Sequence, residues 1–593
     1  MDRIARLQKQ LRAAAHDDAH NSSSGASASA PSTVAAAGGD VHVSQCDAAL
    51  DAAVYDAVLT PQALAFVTEL ASTFAHDVEQ LHQCRSARRV VVEQQHAVPT
   101  FLSSTKAIRD DVNWKIDPIP PILRDRRVDI GDVSPANREF LLCSLNSGAQ
   151  VAATSRPQRI KRWILCTHSS VWNRVQGVQV DFDDGHCPTW KNTLLGHFNI
   201  MEASRGTLAV NGATLARDPA LLLVRPRAWN MDEMNMLVNG AVVPGAVFDF
   251  GVHLFHNGKL LFENGRGPFL YLPKDSKKLH FGERFLCTQR NVWGCQWYSI
   301  LSLFAIANAS SELHCPHGRQ MHHQGGIKAT VLIENIFAAF EMDEILYELR
   351  HHSSGLNCGM WDYTASIVVN FRHDKACLLP DRQQCVSMRS DFLKHYMELL
   401  IRTCKRRGAP ATTGMVPFVL DQLPPSMSKE VAIEKAKSAK LFEAVAGSDG
   451  ALVYDLALVA PIQEVFTSAR GQVNATLKSL DLCSPVNEPF YEKTLLVLPQ
   501  GYVTKHSVEL NLRVALFYVL GWFYGHGTVV VNGCVEDSAT AEISRAQLWQ
   551  WIRHQVPLNK PKQEQQSMQA AAGEYQFVNA KYVFLLELLW TTL

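Results

Sequence analysis

Short apolar runs alternate with amphipathic stretches through most of the chain after Arg126, and most runs end at a polar or charged residue. Such runs are typical of parallel strands buried on both faces, and the stretches between them have helical spacing. The pattern predicts strands at 128–130, 177–182, 220–224, 330–333, 366–370, 413–419 and 451–454. Because no G-x-G-x-x-G sequence follows any of them, the repetition favours an α/β fold of the (β/α)8 barrel type over an open sheet.

The pattern changes on both sides of this region. Residues 59–85 have helical spacing after a Thr60-Pro61 start, and beyond Pro461 long helical segments replace the strand signal. Residues 19–40 are rich in Ala, Ser and Gly and have almost no large apolar side chain. A stretch of that composition cannot bury a core, so we expect a disordered tether there.

Residues 327–366 contain the clearest chemical signal. The predicted strand 330–333 stops at Glu334, and a helix and a glycine-bounded turn at 354–359 then lead to Asp362. A βα unit of this length returns the chain to the same edge of a sheet, so the two carboxylates converge. They suggest a site for a hard divalent cation. Taken singly, Glu334 could instead favour a helix N-terminus, and Asp362 could cap local amides in a turn.

Composition limits the classes of partner. Lys and Arg number 57, as do Asp and Glu, so no overall field attracts nucleic acid or an anionic membrane. The apolar runs are too short to span a bilayer. The 14 cysteines form no CxxC pair, which indicates reduced thiols in an intracellular compartment.

Six ordered motifs resemble those of the malate synthases, in the shorter A-type form, over about 101–555. They are DRRVDI at 125–130, DFDDGHCPTWKN at 181–192, RPRAW at 225–229, TVLIENIFAAFEMDEILYELR at 330–350, GLNCGMWDY at 355–363 and EDSATAEISRAQLWQWIRH at 536–554. The resemblance implies a TIM barrel with an N-terminal helical clasp and a C-terminal all-helical plug. We therefore expect a targeting segment and tether at 1–50, the clasp at 51–125, the barrel at 126–462 and the plug at 463–593.

The same resemblance implies a reaction and its cofactors. Members of the family condense acetyl-CoA with glyoxylate and hydrolyse the adduct to malate and CoA, using Mg²⁺. Glu334 and Asp362 would hold the metal, and backbone N–H groups of the turn Gly359, Met360 and Trp361 would bind the glyoxylate carboxylate. No other small-molecule partner is implied, and the oligomeric state is left open.

Further roles are carried over from the family's motifs. Arg225 would be the arginine that donates to the enolate and aldehyde oxygens, and Asp537 would be the base that removes the acetyl methyl proton. Asp183 and Asp184 would lie behind the metal ligands, on metal-bound water. Arg225 could alternatively form an ion pair at the barrel rim, and Asp537 could serve as a helix N-cap. Arg227 would point to the opposite face of the segment.

Two stretches, near 152–176 and 286–324, interrupt the family pattern and show no clean periodicity. We hypothesise that one or both are translated introns or gene-model errors, which transcript reads running through them would contradict. A His and Cys cluster at 314–323 has no standard zinc spacing. Two rival functions follow: a lyase of the malyl-CoA type without the hydrolytic step, or a catalytically impaired protein disrupted by the insertions.

The N-terminus contains a possible targeting signal. Arg3 and Ile4, followed after five residues by Gln10 and Leu11, resemble the cleavable peroxisomal import signal. This predicts a peroxisomal or glyoxysomal protein that binds an import receptor. The alternative is an ordinary amphipathic helix start and a cytoplasmic protein.

Overall fold

Eight parallel strands close into a barrel in the computed structural model, which describes residues 33–36, 39–46, 50–95, 97–147, 175–273, 326–479 and 482–559. Each strand pairs with the next in chain order, and the last pairs with the first. The predicted (β/α)8 barrel is confirmed. Its strands are β1 Val128–Val133, β2 Gly177–Asp181, β3 Leu221–Arg225, β4 Phe269–Leu272, β5 Lys328–Leu332, β6 Ser353–Cys358, β7 Ala411–Val416 and β8 Gly450–Val453.

Two barrel strands differ from the sequence prediction. The residues 366–370 predicted as a strand belong to the helix Met360–Asn370, where Ile367 and Val368 are buried, so packing overrides their β-branched preference. The segment 354–359, predicted as a turn, instead supplies most of β6. The strand carries polar groups into the barrel interior, where the Asn357 amide donates to Tyr271 at 3.1 Å and to Thr412 at 2.9 Å. Strand β6 therefore lacks the apolar run by which other strands were predicted.

Strand β4 was also missed by the prediction. Its sequence FLYL is only four residues long and fully buried, and so short an apolar run does not distinguish strand from helix. The barrel helices lie between the strands and after the last one. They are Arg138–Asn146, Trp190–Arg205, Gly245–His253, Lys259–Glu263, Met342–Glu348, Met360–Asn370, Arg382–Cys385, Asp391–Arg407, Lys429–Ala446, Val459–Ser468 and Arg470–Ser479.

The N-terminal part consists of helices Ala52–Val58, Pro61–Gln95 and Lys106–Asp110 and of a small antiparallel sheet. That sheet joins strands Thr33–Ala36 and Gly39–Val43 to Asp232–Val238 and Ala241–Pro244. The segment predicted as a tether therefore includes ordered strand. Val41 and Val43 supply the reason, since they alternate with polar residues, are buried, and pair with Val238 and Met236.

The C-terminal part contains helices Glu488–Thr494, Lys505–Phe523 and Ser538–Arg553. The C-terminal part is not the all-helical plug that was predicted, because it also contains a hairpin of Val529–Val531 and Cys534–Glu536. The Val535 N–H donates to the Pro417 carbonyl at 2.8 Å, just beyond β7, and so fastens the hairpin to the barrel. A second short hairpin pairs Ala209–Val210 with Ala213–Thr214.

Several predictions fall outside the described residues: the import signal at 3–11, nearly all of the insertion near 152–176, the insertion near 286–324, and the His and Cys cluster at 314–323. Within the described ranges, the helices are all too short or too polar to cross a membrane.

Candidate active site

A cavity of about 100 Å³ lies at the carboxyl ends of the barrel strands, beneath the C-terminal hairpin. Eight of the nine sequence-predicted site residues line it, although they come from widely separated parts of the chain: Asp184, Arg225, Glu334, Gly359, Met360, Trp361, Asp362 and Asp537. Of the predicted residues, Asp183 alone is absent from the lining. The carboxyl edge of a TIM barrel is where such enzymes assemble their active sites.

Three carboxylates form a compact group in this cavity. Asp184, Glu334 and Asp362 each place an oxygen within 4.8 Å of the others. Glu334 follows β5 and Asp362 follows the adjacent, parallel β6, as the length of the βα unit predicted. Asp184 was predicted to lie behind the metal ligands, whereas its carboxylate stands beside theirs. Three converging carboxylates suit a hard divalent cation such as Mg²⁺.

Arg225, the last residue of β3, contacts two of these carboxylates and also Asp183. Its Nη2 donates to Asp183 at 2.9 Å, to Asp184 at 2.5 Å and to Glu334 at 3.3 Å. Burial by itself would lower the pKa of Arg225, but the surrounding carboxylates raise it well above its ordinary value, so the guanidinium stays charged. Arg225 therefore forms ion pairs, as the alternative predicted, and it also lines the cavity.

Asp181 is a buried carboxylate that sequence reasoning missed, although it begins the DFDD motif. It accepts the backbone N–H groups of Asp183 at 2.7 Å and Gly185 at 3.1 Å and lies 3.4 Å from Arg225 Nη1. Burial raises its pKa to about 7, against the opposing effect of Arg225. These contacts fold the loop after β2 so that it presents Asp184 to the cavity.

Asp183 lies on the other side of Arg225. Its Oδ2 accepts from Arg225, and its Oδ1 accepts the Ala228 N–H at 3.2 Å. It thus joins the loop after β2 to the segment after β3. This arrangement positions the arginine and keeps Asp183 out of the cavity lining.

Asp537 is the N-cap of the helix Ser538–Arg553. Its Oδ1 accepts the Thr540 N–H at 2.9 Å, and the Thr540 hydroxyl accepts the Asp537 N–H at 2.9 Å, which completes a capping box. The cap predicted as the alternative role is present, and the same residue lines the cavity. A capped carboxylate has a restricted orientation.

The predicted turn at Gly359 is the N-terminus of the helix Met360–Asn370, with Gly359 as its N-cap residue. The first N–H groups of a helix are available to an anion. A Cβ on Gly359 would lie 3.0 Å from the Glu334 Cβ, so glycine allows β5 and β6 to approach closely here. Arg382 lies over the Trp361 ring at 5.6 Å and holds that side of the turn.

Asp132, at the end of β1, is another cavity residue missed by the sequence prediction. It is 7% exposed and has a φ of 54°, in the left-handed region. Burial, and after it the charge of Asp537, raises the pKa of Asp132 well above its ordinary value. The residue follows the DRRVDI motif by one glycine, and nothing in the local pattern distinguishes it.

Comparisons with known proteins agree with this architecture. The family model described as the malate synthase TIM barrel domain matches residues 221–285 and 318–486, and the malate synthase C-terminal model matches 502–580. The break at 286–317 lies inside the second predicted insertion.

Three curated relatives align along most of the chain. Malate synthase of Myxococcus xanthus is 37% identical over 510 residues, which is 85% of this chain and 83% of that protein. Glyoxysomal malate synthase of Cucumis sativus is 35% identical, over 85% of this chain and 80% of that protein. Malate synthase A of Escherichia coli is 33% identical, over 85% and 84% respectively.

Proposed function

The chain belongs to the malate synthase family, and on that premise we propose that it condenses acetyl-CoA with glyoxylate and hydrolyses the malyl thioester to malate and CoA. It is an acyltransferase that converts the acyl group to an alkyl group on transfer. One observation carries the proposal: Arg225, Asp537 and three clustered carboxylates meet in one cavity at the carboxyl edge of the barrel.

The carboxylate group fits Mg²⁺, because hard oxygen donors converge there from three separate elements. Asp184, Glu334 and Asp362 would hold the ion. When bound, Mg²⁺ would polarise the glyoxylate aldehyde and offset the charge of the substrate carboxylate. This arrangement would leave the helix N-terminus at Gly359, Met360 and Trp361 to donate backbone N–H groups to that carboxylate.

Asp537 is the base in this proposal. A carboxylate is a weak base for a methyl proton, so the reaction needs an enclosed site in which the enolate is stabilised as it forms. The capping box directs the Asp537 carboxylate, and Arg225 supplies N–H donors to the developing enolate oxygen. One such donor typically contributes about 10²–10³-fold in rate.

Glyoxylate-dependent release of CoA from acetyl-CoA, in the presence of Mg²⁺, tests the proposal directly. Asp537→Asn should lower the rate by about 10²–10⁴-fold, because the base is lost, while Asn still caps the helix. An unchanged melting temperature of the variant would show that the fold is retained.

Three outcomes would contradict parts of the proposal. No CoA release by the parent protein would favour a catalytically impaired chain. Malyl-CoA as the final product would favour the lyase alternative. Full activity of Asp537→Asn would reject Asp537 as the base.

We also propose a peroxisomal or glyoxysomal location reached through an import receptor. The supports are the signal-like Arg3, Ile4, Gln10 and Leu11 and the glyoxysomal relatives. A fusion of residues 1–50 to a fluorescent protein should enter peroxisomes, and Arg3→Ala with Leu11→Ala should leave it in the cytosol. Cytosolic fluorescence of the unaltered fusion would support the cytoplasmic alternative.

A further inference from the structure

Asp132 is a strained, buried carboxylate for which condensation provides no role. Its φ of 54° is one that L-residues other than Asn and Asp rarely adopt, and such strain often marks a functional position. Its Oδ2 is buried and receives no hydrogen bond from the part of the chain that the structure describes. The residue is 7% exposed and lines the cavity, so its carboxylate borders the space that the reactants would enter.

The second half of the proposed reaction requires such an acceptor. Hydrolysis of the malyl thioester needs a water molecule held near the carbonyl carbon and a group that takes its proton. We propose that Asp132 is the catalytic base that binds and activates this water, a role that rests on the proposed function. A water O–H is the kind of donor that a buried carboxylate oxygen accepts.

Other acidic residues in and beside the cavity already accept hydrogen bonds. Thr540 N–H holds Asp537 Oδ1. Arg225 donates to carboxylates at the end of β2, in the loop that follows it and after β5. Backbone N–H or hydroxyl groups donate to some of the same carboxylates. The residues so held are Asp181, Asp183, Asp184 and Glu334.

The charges that act on Asp132 come from three other elements. Asp537 faces it from the start of the last helix, Asp181 and Asp184 from β2 and the loop that follows, and Arg225 from β3. Three of these four groups are carboxylates. Burial and their charge raise the pKa of Asp132, and a carboxylate of raised pKa is a stronger base once ionised.

The hydrolytic step balances without a further reactant. The water oxygen bonds to the thioester carbonyl carbon while Asp132 accepts one water proton. Collapse of the tetrahedral adduct breaks the C–S bond, and the departing CoA sulfur takes that proton from Asp132. The new carboxylic acid of malate releases its remaining proton to solvent.

The test separates the two half-reactions. Asp132→Asn keeps the size of the side chain and tolerates the left-handed backbone, but it cannot accept the proton. With Mg²⁺, the variant should hydrolyse synthetic malyl-CoA about 10²–10³-fold more slowly than the parent, the scale expected for loss of a base. In single turnovers with acetyl-CoA and glyoxylate, malyl-CoA should accumulate in the variant, because condensation falls much less.

Asp132→Gly is the second variant, since glycine adopts this φ without strain. It should hydrolyse malyl-CoA as slowly as the Asn variant while its melting temperature rises above that of the parent. A residue with a purely structural role would not lower hydrolysis while its replacement stabilises the fold.

Two results would overturn the proposal. One is hydrolysis of malyl-CoA by both variants at the parent rate. The other is an equal fall in condensation and hydrolysis. Failure of the parent protein to consume acetyl-CoA with glyoxylate would instead contradict the proposed function, so the two failures are distinguishable.

Discussion

Arg225 and Arg227 lie two residues apart, are both almost completely buried, and have different surroundings. Arg227 lies in a closed ion-pair cluster: its Nε and Nη2 donate to Asp249 at 2.9 and 2.8 Å, and its Nη1 donates to Glu233 at 2.8 Å. Arg225 faces the cavity, where its guanidinium is shared among four carboxylates and its Nε has no hydrogen-bond partner among the described residues.

The difference separates an arginine that stabilises the fold from one available to reactants. Around Arg227 the ion-pair geometry is complete. Burial by itself would raise the pKa of Asp249, but the charge of Arg227 contributes to lowering it below its ordinary value. Around Arg225 negative charge is in excess, so the region favours an added cation, and the proposed function makes Arg225 the donor to the developing oxyanion. Strict alternation would place residues two apart on the same face, so strand geometry does not explain the different surroundings of the two arginines. The strand ends at Arg225 and Pro226 follows, so Arg227 lies outside the regular strand.

Removing Arg227 should have the largest effect, and it should be on stability. Arg227→Met leaves Asp249 and Glu233 buried without their partner, which typically costs about 3–5 kcal/mol. Calorimetry should show a clearly lower melting temperature, with activity retained by the folded fraction. Arg227→Met combined with Asp249→Asn should recover part of the loss. A parent-like melting temperature for the single variant would remove the distinction between the two arginines.

Replacing Arg225 should act on the rate. Arg225→Lys keeps the positive charge but loses the planar fork, so kcat/KM for glyoxylate-dependent CoA release should fall by about 10²–10³-fold. The melting temperature should change less than in Arg227→Met. Parent-like kinetics would show that Arg225 only pairs with its neighbouring carboxylates.

Magnesium should give the smallest effect, a gain in stability. A ligand that binds only the native state, at a concentration of about 100 times its Kd, stabilises that state by about 2.7 kcal/mol. Mg²⁺ should therefore raise the melting temperature of the parent, and EDTA should reverse the rise. Asp362→Asn should abolish most of the rise, whereas Glu434→Gln, at a carboxylate 74% exposed on a helix, should preserve it. An equal rise in both variants would place the ion elsewhere.

The sequence predicted the features whose pattern lies within a short stretch of the chain and missed those that depend on contacts between strands. Apolar runs located six of the barrel strands, and the length of the βα unit brought Glu334 and Asp362 together. Strand β6 was missed because its polar side chains pair with those of neighbouring strands inside the barrel, as Ser354 does with Thr330 of β5 at 3.0 Å. Gly355, with a φ of 119°, would with a Cβ collide with the Pro410 carbonyl, a constraint that exists only once β7 is in place.

The sequence by itself determined the barrel class, the family and eight of the residues that line the cavity, because these depend on apolar periodicity and on motifs contiguous along the chain. Only the tertiary structure decided that Asp184 stands beside Glu334 and Asp362, that Asp537 both caps a helix and reaches the cavity, and that no described residue donates a hydrogen bond to Asp132 Oδ2. The physical reason is that hydrogen-bond satisfaction and charge balance depend on neighbours brought together by strand closure, at separations that no local pattern records.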